Sequence, residues 1–412
     1  MRTKTFLLLC IAFITLFIGV STLQAGHYYY KQISLKDGLP STVRCILTDK
    51  QGFVWIGTRS GLGRYDGHEL KKYIHQANNP HSIPHNLIYQ MIEDEQNNIW
   101  ILTDKGVTRY QRQSDDFFIP TDETGNNIIA YSACLTDNGV LFGSKNKIFF
   151  YNYQDATFRL LQTFDLEPNY NVTLLSLWDK RTLLCCSRWQ GLLLLDLNTG
   201  KCRRPPFDCG KEIMNVLIDS QERIWVAPYN GGLNCLTRDG KLLATYTTHN
   251  SSLSNNVILS LAEREGEIWI GTDGGGINIL DPETGHFSLL EHVPGSDNYS
   301  LPANSILCLY NDYNNNIWAG SIRNGLISIR EVSMKTYTDV PPGNDRGLSN
   351  NTVLSLFQES QDQIWVGTDG GGINNFNPLT EKFTHYPSTW EDKVASICQF
   401  TPGKLLISIF SQ

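Results

Sequence analysis

One tryptophan-centred stretch, Asp49-Lys-Gln-Gly-Phe-Val-Trp-Ile-Gly-Thr-Arg-Ser-Gly-Leu-Gly-Arg-Tyr-Asp66, recurs along the chain and limits what it can fold into. The tryptophan position is filled by Trp55, Trp100, Leu141, Cys185, Trp225, Trp269, Trp318 and Trp365, at spacings of 40 to 49 residues. That period is the length of one four-stranded propeller blade. A unit this short does not bury its own apolar face, so each must be covered by its neighbours.

The chemistry of the unit agrees with that reading. Six positions before the tryptophan site stands an acid: Asp49, Asp94, Asp179, Asp219, Glu263, Asp312 or Glu359, with Asp137 two residues closer in the Leu141 unit. Turn formers lie between acid and tryptophan, and an Asp carboxylate there accepts from backbone two residues on, shaping a tight turn between antiparallel strands. Two residues after the tryptophan site the chain carries something small (Gly57, Gly143, Ser187, Ala227, Gly271, Gly320 or Gly367), which lets backbones converge toward an axis. Leu102 breaks this rule. A glycine and an aliphatic follow, as in Gly276-Ile277, and three residues on comes a large apolar side chain such as Tyr65, Tyr110 or Leu280. Further strands flank each unit, for instance Val43–Leu47 upstream and Glu69–Ile74 downstream. Four strands per unit and no long helical period predict an all-β fold.

The units resemble the two-component regulator propeller repeat, N-x-V-x-x-I-x-x-D-x-x-G-x-I-W-I-G-T-x-x-G-G-L-x-x-Y. Asn256 to Leu280 and Asn351 to Phe376 follow it closely, and Gln32 to Ser41 resembles the opening of the sensor half of hybrid two-component systems from gut Bacteroidetes. The resemblance implies a dimeric periplasmic sensor part whose ligand state is passed to a membrane kinase. It also implies further domains: a second propeller, an immunoglobulin-like domain, a kinase, a receiver and a DNA-binding domain.

Taken in order, Arg2 and Lys4, the apolar run Phe6–Val20 and Ala25 read as an export signal over residues 1–25, or an N-terminal anchor. Delivery outside the cytoplasm, to the periplasm, follows from either. The strand at Tyr28–Ser34 matches the outermost strand of a blade and is placed to close a ring by pairing with the last one. A seven-bladed β-propeller of four-stranded antiparallel blades is therefore expected over 26–332. Residues 333–412 read as the first blade and a half of a second, incomplete propeller, opened by a solitary strand at Met334, and the chain as a truncated sensor. One eight-bladed ring is the competing arrangement.

Composition narrows the partners. With 34 basic and 41 acidic side chains and no basic run, the chain lacks the cationic stripe that nucleic acid requires. Nine cysteines follow the apolar run. Most sit in apolar strand patterns, Cys185-Cys186 among them, while Cys202 and Cys209 flank Pro205-Pro206, either as a disulfide or as two thiols. No metal-ligand spacing, cofactor motif or catalytic constellation stands out. Gly271-Thr-Asp-Gly-Gly-Gly276 lacks the lysine and helix of a phosphate loop and reads as a turn at positive φ.

The turns after the W-x-G-T strands and the loops entering the next blade share one end of the ring and differ most between units. Those loops include Asn78–Ser82, His249–Ser252, 294–298 and Pro341–Asp345. Arg59, Arg188, Trp189, Tyr229, Asn230, Asp273 and Arg323 are the candidate ligand-binding residues there. An aromatic face among Arg, Asn and Asp suits a sugar with anionic substituents, by stacking and charge-assisted hydrogen bonds. The expected function is sensing of a glycan-derived oligosaccharide without enzymatic activity. A propeller-type glycan lyase or hydrolase, or a protein-interaction scaffold, are the alternatives.

Overall fold

Alternating apolar residues and two- to five-residue turns produce short antiparallel strands throughout, with no α-helix among the described residues. The computed structural model describes residues 28–40, 42–163, 170–294, 300–331, 337–389, 391–401 and 403–410. The expected export signal and most of the strand expected at Met334 lie outside them. The chain divides at residue 332 into two units.

In the first unit, seven four-stranded sheets are present among the described residues. Their innermost strands are Val43–Thr48, Ile88–Glu93, Ser132–Thr136, Leu174–Leu177, Ile213–Ile218, Ile258–Arg264 and Ile306–Asn311. Each innermost strand packs beside the next, and Ile306–Asn311 packs beside Val43–Thr48, so the sheets form a ring. The outermost strand of the last sheet is Tyr28–Ile33, which pairs antiparallel with Leu326–Glu331. The two ends of the unit thus share one blade, and no sheet edge is left open at the join.

The acid does more than shape the turn. Asp49 Oδ1 accepts from the Gln51 and Phe53 amides, and its Oδ2 accepts from Trp55 Nε1 at 2.9 Å. The same indole bond links Asp94 to Trp100 at 2.8 Å, Asp219 to Trp225 at 2.7 Å and Asp312 to Trp318 at 2.9 Å. Glu263 departs from this. Its strand runs on to a two-residue hairpin, with Glu265 and Gly266 both at positive φ. Its carboxylate instead accepts from the Ser220 amide of the preceding blade at 2.8 Å.

The pinned tryptophans face the next blade. Trp55 meets the edge of Tyr110 at 4.7 Å and Trp100 that of Tyr151 at 4.7 Å. Such pairs contribute about 0.5–1.5 kcal/mol beyond their burial. The small residue two positions on is required by the same packing. A Cβ at Gly271 would lie 2.9 Å from Ile306 Cγ2 of the next blade, and one at Gly320 would lie 2.7 Å from Val43 Cγ1. Leu102 is tolerated because the corresponding position in the next blade is Ala130, in the same buried cluster. Gly276 has φ +73° and Leu290 O where a Cβ would go, as its turn demands. Leu141 and Cys185, which replace tryptophan, are fully buried together in one inter-blade cluster. Cys202 and Cys209 are separate thiols. They belong to different packing layers, Cys202 beside Cys185 and Cys209 beside Cys186, so the pairing left open by their spacing does not form.

Ion pairs join blades at the end carrying the hairpins between first and second strands. Arg112 bonds Asp49 at 3.0 Å and Glu93 at 2.9 Å. Asp115, in the same hairpin as Arg112, accepts from Tyr73 and Tyr110 at 2.6 Å each, from Arg64 at 3.1 Å and from Lys71. Burial pushes its carboxyl upward, but the bonds from Lys71, Tyr110, Tyr73 and Arg64 outweigh that and hold it well below the usual carboxylate range.

The second unit contains one four-stranded sheet, Val353–Ser360 to Lys382–His385, and the hairpin Lys393–Thr401 with Lys404–Phe410. Glu359 repeats the acid–indole bond to Trp365 at 2.7 Å. Leu356 and Phe400 remain exposed.

Two predictions follow from these contacts. Asp219→Ala strips partners from a buried indole and two backbone amides, and each unsatisfied donor costs about 1–3 kcal/mol. Its urea midpoint should fall well below that of Asp179→Ala, whose exposed carboxylate accepts from the Arg181 and Thr182 amides and holds no buried indole. The Asp115 contribution is fully present above its unfolded pKa of about 3.9 and is lost as pH falls through the lower folded value. The stability gap between wild type and Asp115→Asn should therefore narrow between about pH 5 and pH 2 in urea titrations.

Candidate functional site

Backbone bonds show which turns and loops share an end of the ring. Gly61 N–H donates to Asn86 O at 2.9 Å, Tyr229 N–H to Glu212 O at 2.8 Å, Asp273 N–H to Val257 O at 3.0 Å and Ile322 N–H to Ser305 O at 3.2 Å. In each case the turn between a blade's second and third strands is tied to a loop entering an innermost strand, that of the next blade for Gly61 and of its own blade for the other three. All seven sequence candidates lie in such turns and are exposed. Trp189 is 62% exposed and Tyr229 53%, against near-complete burial of the repeat tryptophans. Asn230 adopts φ 53°, and Asp273 accepts from Ser305 Oγ at 3.0 Å. Arg188 stacks on its neighbour Trp189, with its guanidinium carbon 5.4 Å from the ring, and donates to Met214 Sδ at 3.2 Å. Most of the loop at 294–298 falls outside the described residues.

The turns surround a cavity of about 600 Å³ on the ring axis, lined by residues from the innermost strands of all seven blades or the segments leading into them. Of the sequence candidates, only Arg188 reaches it. Arg59, Trp189, Tyr229, Asn230, Asp273 and Arg323 are not among its lining residues.

The cavity residues that sequence reasoning passed over share a structural cause. In five blades the innermost strand bulges immediately after its first aliphatic, between Val43 and Cys45, Ile88 and Gln90, Ile213 and Asn215, Ile258 and Ser260, and Ile306 and Cys308. A bulge leaves its extra residue unpaired and re-aims that side chain. The extra residues are Arg44, Tyr89, Met214, Leu259 and Leu307, and all but Leu259 line the cavity. The available signal was the position directly after each strand's first aliphatic, next to the small residue that the repeat pattern emphasises.

Tyr89 and Tyr131 meet edge to face at 5.2 Å, and the Tyr89 hydroxyl donates to Asp104 at 2.7 Å. Burial, reinforced by that bond, pushes the Tyr89 phenol up to about 12, so it stays protonated. Gln90 exchanges two bonds with the Ala133 backbone, which fixes the neighbouring blade. Among the described residues, no three His, Cys, Asp or Glu side chains gather as a metal would need. No helix there is long and apolar enough to cross a membrane.

Comparison with known proteins agrees with the repeat and the ring. The family described as "Two component regulator propeller" matches residues 37–60, 82–105, 252–274, 300–323 and 347–370. A stretch of 58 residues is 43% identical to the histidine kinase P4 of Formosa agariphila, covering 14% of this chain and 4% of that protein. Among solved structures, the extracellular domain assigned to the hybrid two component system BT3049 of B. thetaiotaomicron superposes with a TM-score of 0.66 at 24% identity. It covers 93% of this chain and 52% of that one. The extracellular domain of BT4673 from the same organism gives 0.60 at 20% identity, covering 92% and 57% respectively. The chain thus spans about half the length of these solved relatives. The WD40 propeller of Doa1, at 15% identity and a TM-score of 0.53, shares the ring architecture. In its repeats and its fold, the chain is similar to the two component regulator propeller family.

Proposed function

We propose that the chain is the ligand-reading part of an exported two-component sensor, and that it recognises a glycan-derived oligosaccharide at the rim of its first ring. The observation that carries this is the contrast between the two ends. One is knitted together by ion pairs centred on Asp115 and Arg112, while the other holds variable turns with Trp189 and Tyr229 exposed around an axial cavity. Exposed aromatic faces beside Arg188 and Asn230 suit a sugar ring with polar or anionic substituents. The match to the histidine kinase and the likeness to extracellular sensor domains support a role upstream of a kinase. Export to the periplasm, homodimerisation and communication with that kinase are parts of the same proposal, and no catalytic step by this chain is included in it.

Calorimetry of the purified chain against a broad oligosaccharide panel should yield a ligand, and silence across the panel would overturn the glycan assignment. With that ligand in hand, Trp189 should become shielded from acrylamide quenching in wild type, with no corresponding change in Trp189→Phe. Trp189→Ala should bind about 10-fold more weakly, as expected for losing one aromatic face.

A further inference from the structure

The axial cavity carries fixed charge of one sign. Arg44 and Arg188 line it and no carboxylate does. The Arg44 Nε is buried with no hydrogen-bond partner among the described residues, and its guanidinium carbon lies 5.7 Å from the Tyr89 ring. Arg188 contacts a thioether and an indole, as described above. Four other arginines of this unit, Arg64, Arg112, Arg223 and Arg264, each hold a carboxylate within 3.1 Å. Another polar group of the lining, Ser260 Oγ, is buried with no hydrogen-bond partner among the described residues.

A partly buried guanidinium without a carboxylate partner is costly, and the structure accepts that cost at a bulge that aims Arg44 at the axis. An incoming anion would repay it with charge-assisted bonds, which are the strong class of hydrogen bond. Tyr89, aimed by the equivalent bulge of the next blade, and Tyr131 add aromatic surface. A volume of about 600 Å³ falls in the range that small-ligand sites occupy.

We infer that this cavity seats one anionic sugar unit, its carboxylate or sulfate taken by Arg44 and Arg188 and its ring placed against Tyr89 and Tyr131. The inference rests on the glycan-sensing reading and adds to it a seat and a charge class for the ligand.

The test is calorimetry on the full chain with digalacturonate, glucosamine 6-sulfate and inorganic sulfate, with cellobiose as the neutral control. At least one charged sugar should bind, more weakly as salt rises, and cellobiose should bind at least about 10-fold more weakly. Arg44→Met and Arg188→Met should each weaken the charged sugar about 10- to 100-fold. Arg188 sits in an exposed turn, so its variant keeps the test open if Arg44→Met does not fold by circular dichroism. The carboxylate and sulfate arms decide which acid is preferred. Charged sugars bound within twofold by either folded variant, or cellobiose bound equally well, would overturn the cavity assignment and leave glycan sensing standing. Failure of both charged sugars to bind would also overturn it, and the wider oligosaccharide panel would then decide separately whether sensing survives.

Discussion

A carboxylate that accepts at once from a buried indole and from two backbone amides holds four of the seven blades of the first ring in shape. The geometry leaves little freedom. The amides fix the hairpin between the first and second strands, and the indole bond then fixes how far the tryptophan projects toward the next blade. A blade of this size has too little apolar surface to be stable alone, so its orientation toward its neighbour decides whether the ring forms. The Trp55–Tyr110 and Trp100–Tyr151 pairs are where that orientation is read out as packing.

Much of this was legible in the chain. The period, the acid, the small residue and the closing strand all follow from a local requirement that recurs, so each repeat restates it. Even units without tryptophan were recognisable, because Leu141 and Cys185 keep the spacing and the burial while losing the indole. What was not legible involves two places at once. Leu102 violates the small-residue rule and is rescued by Ala130 in the next blade, a compensation no single position shows. Glu263 keeps the spacing of the acid but not its role, because a shorter hairpin takes it out of the corner and turns it toward Ser220.

The candidate site divides the same way. That exposed turns would gather at one end was readable from strand alternation, and all seven chosen residues lie there. The cavity was not readable, since Arg44 and Tyr89 reach it through bulges, which interrupt alternation and leave no simple periodic trace. Arg188 is the one sequence candidate that also lines the cavity, and it links the site argued from sequence to the one visible only in the fold. The division of labour between the ends is consistent with sensing: one end spends its charges on neighbouring blades, and the other places Arg44 and Arg188 in a cavity that no carboxylate lines among the described residues.

Hydrogen exchange of the indole Nε1 protons, followed by NMR with residue-specific assignment, reads the pinning interaction directly. Protons of Trp55, Trp100, Trp225 and Trp318 should exchange only through global unfolding, while that of the exposed Trp189 exchanges at a rate near that of free tryptophan. Exchange of the four pinned indoles as fast as Trp189 under native conditions would contradict the carboxylate–indole bond as the element that sets the blades.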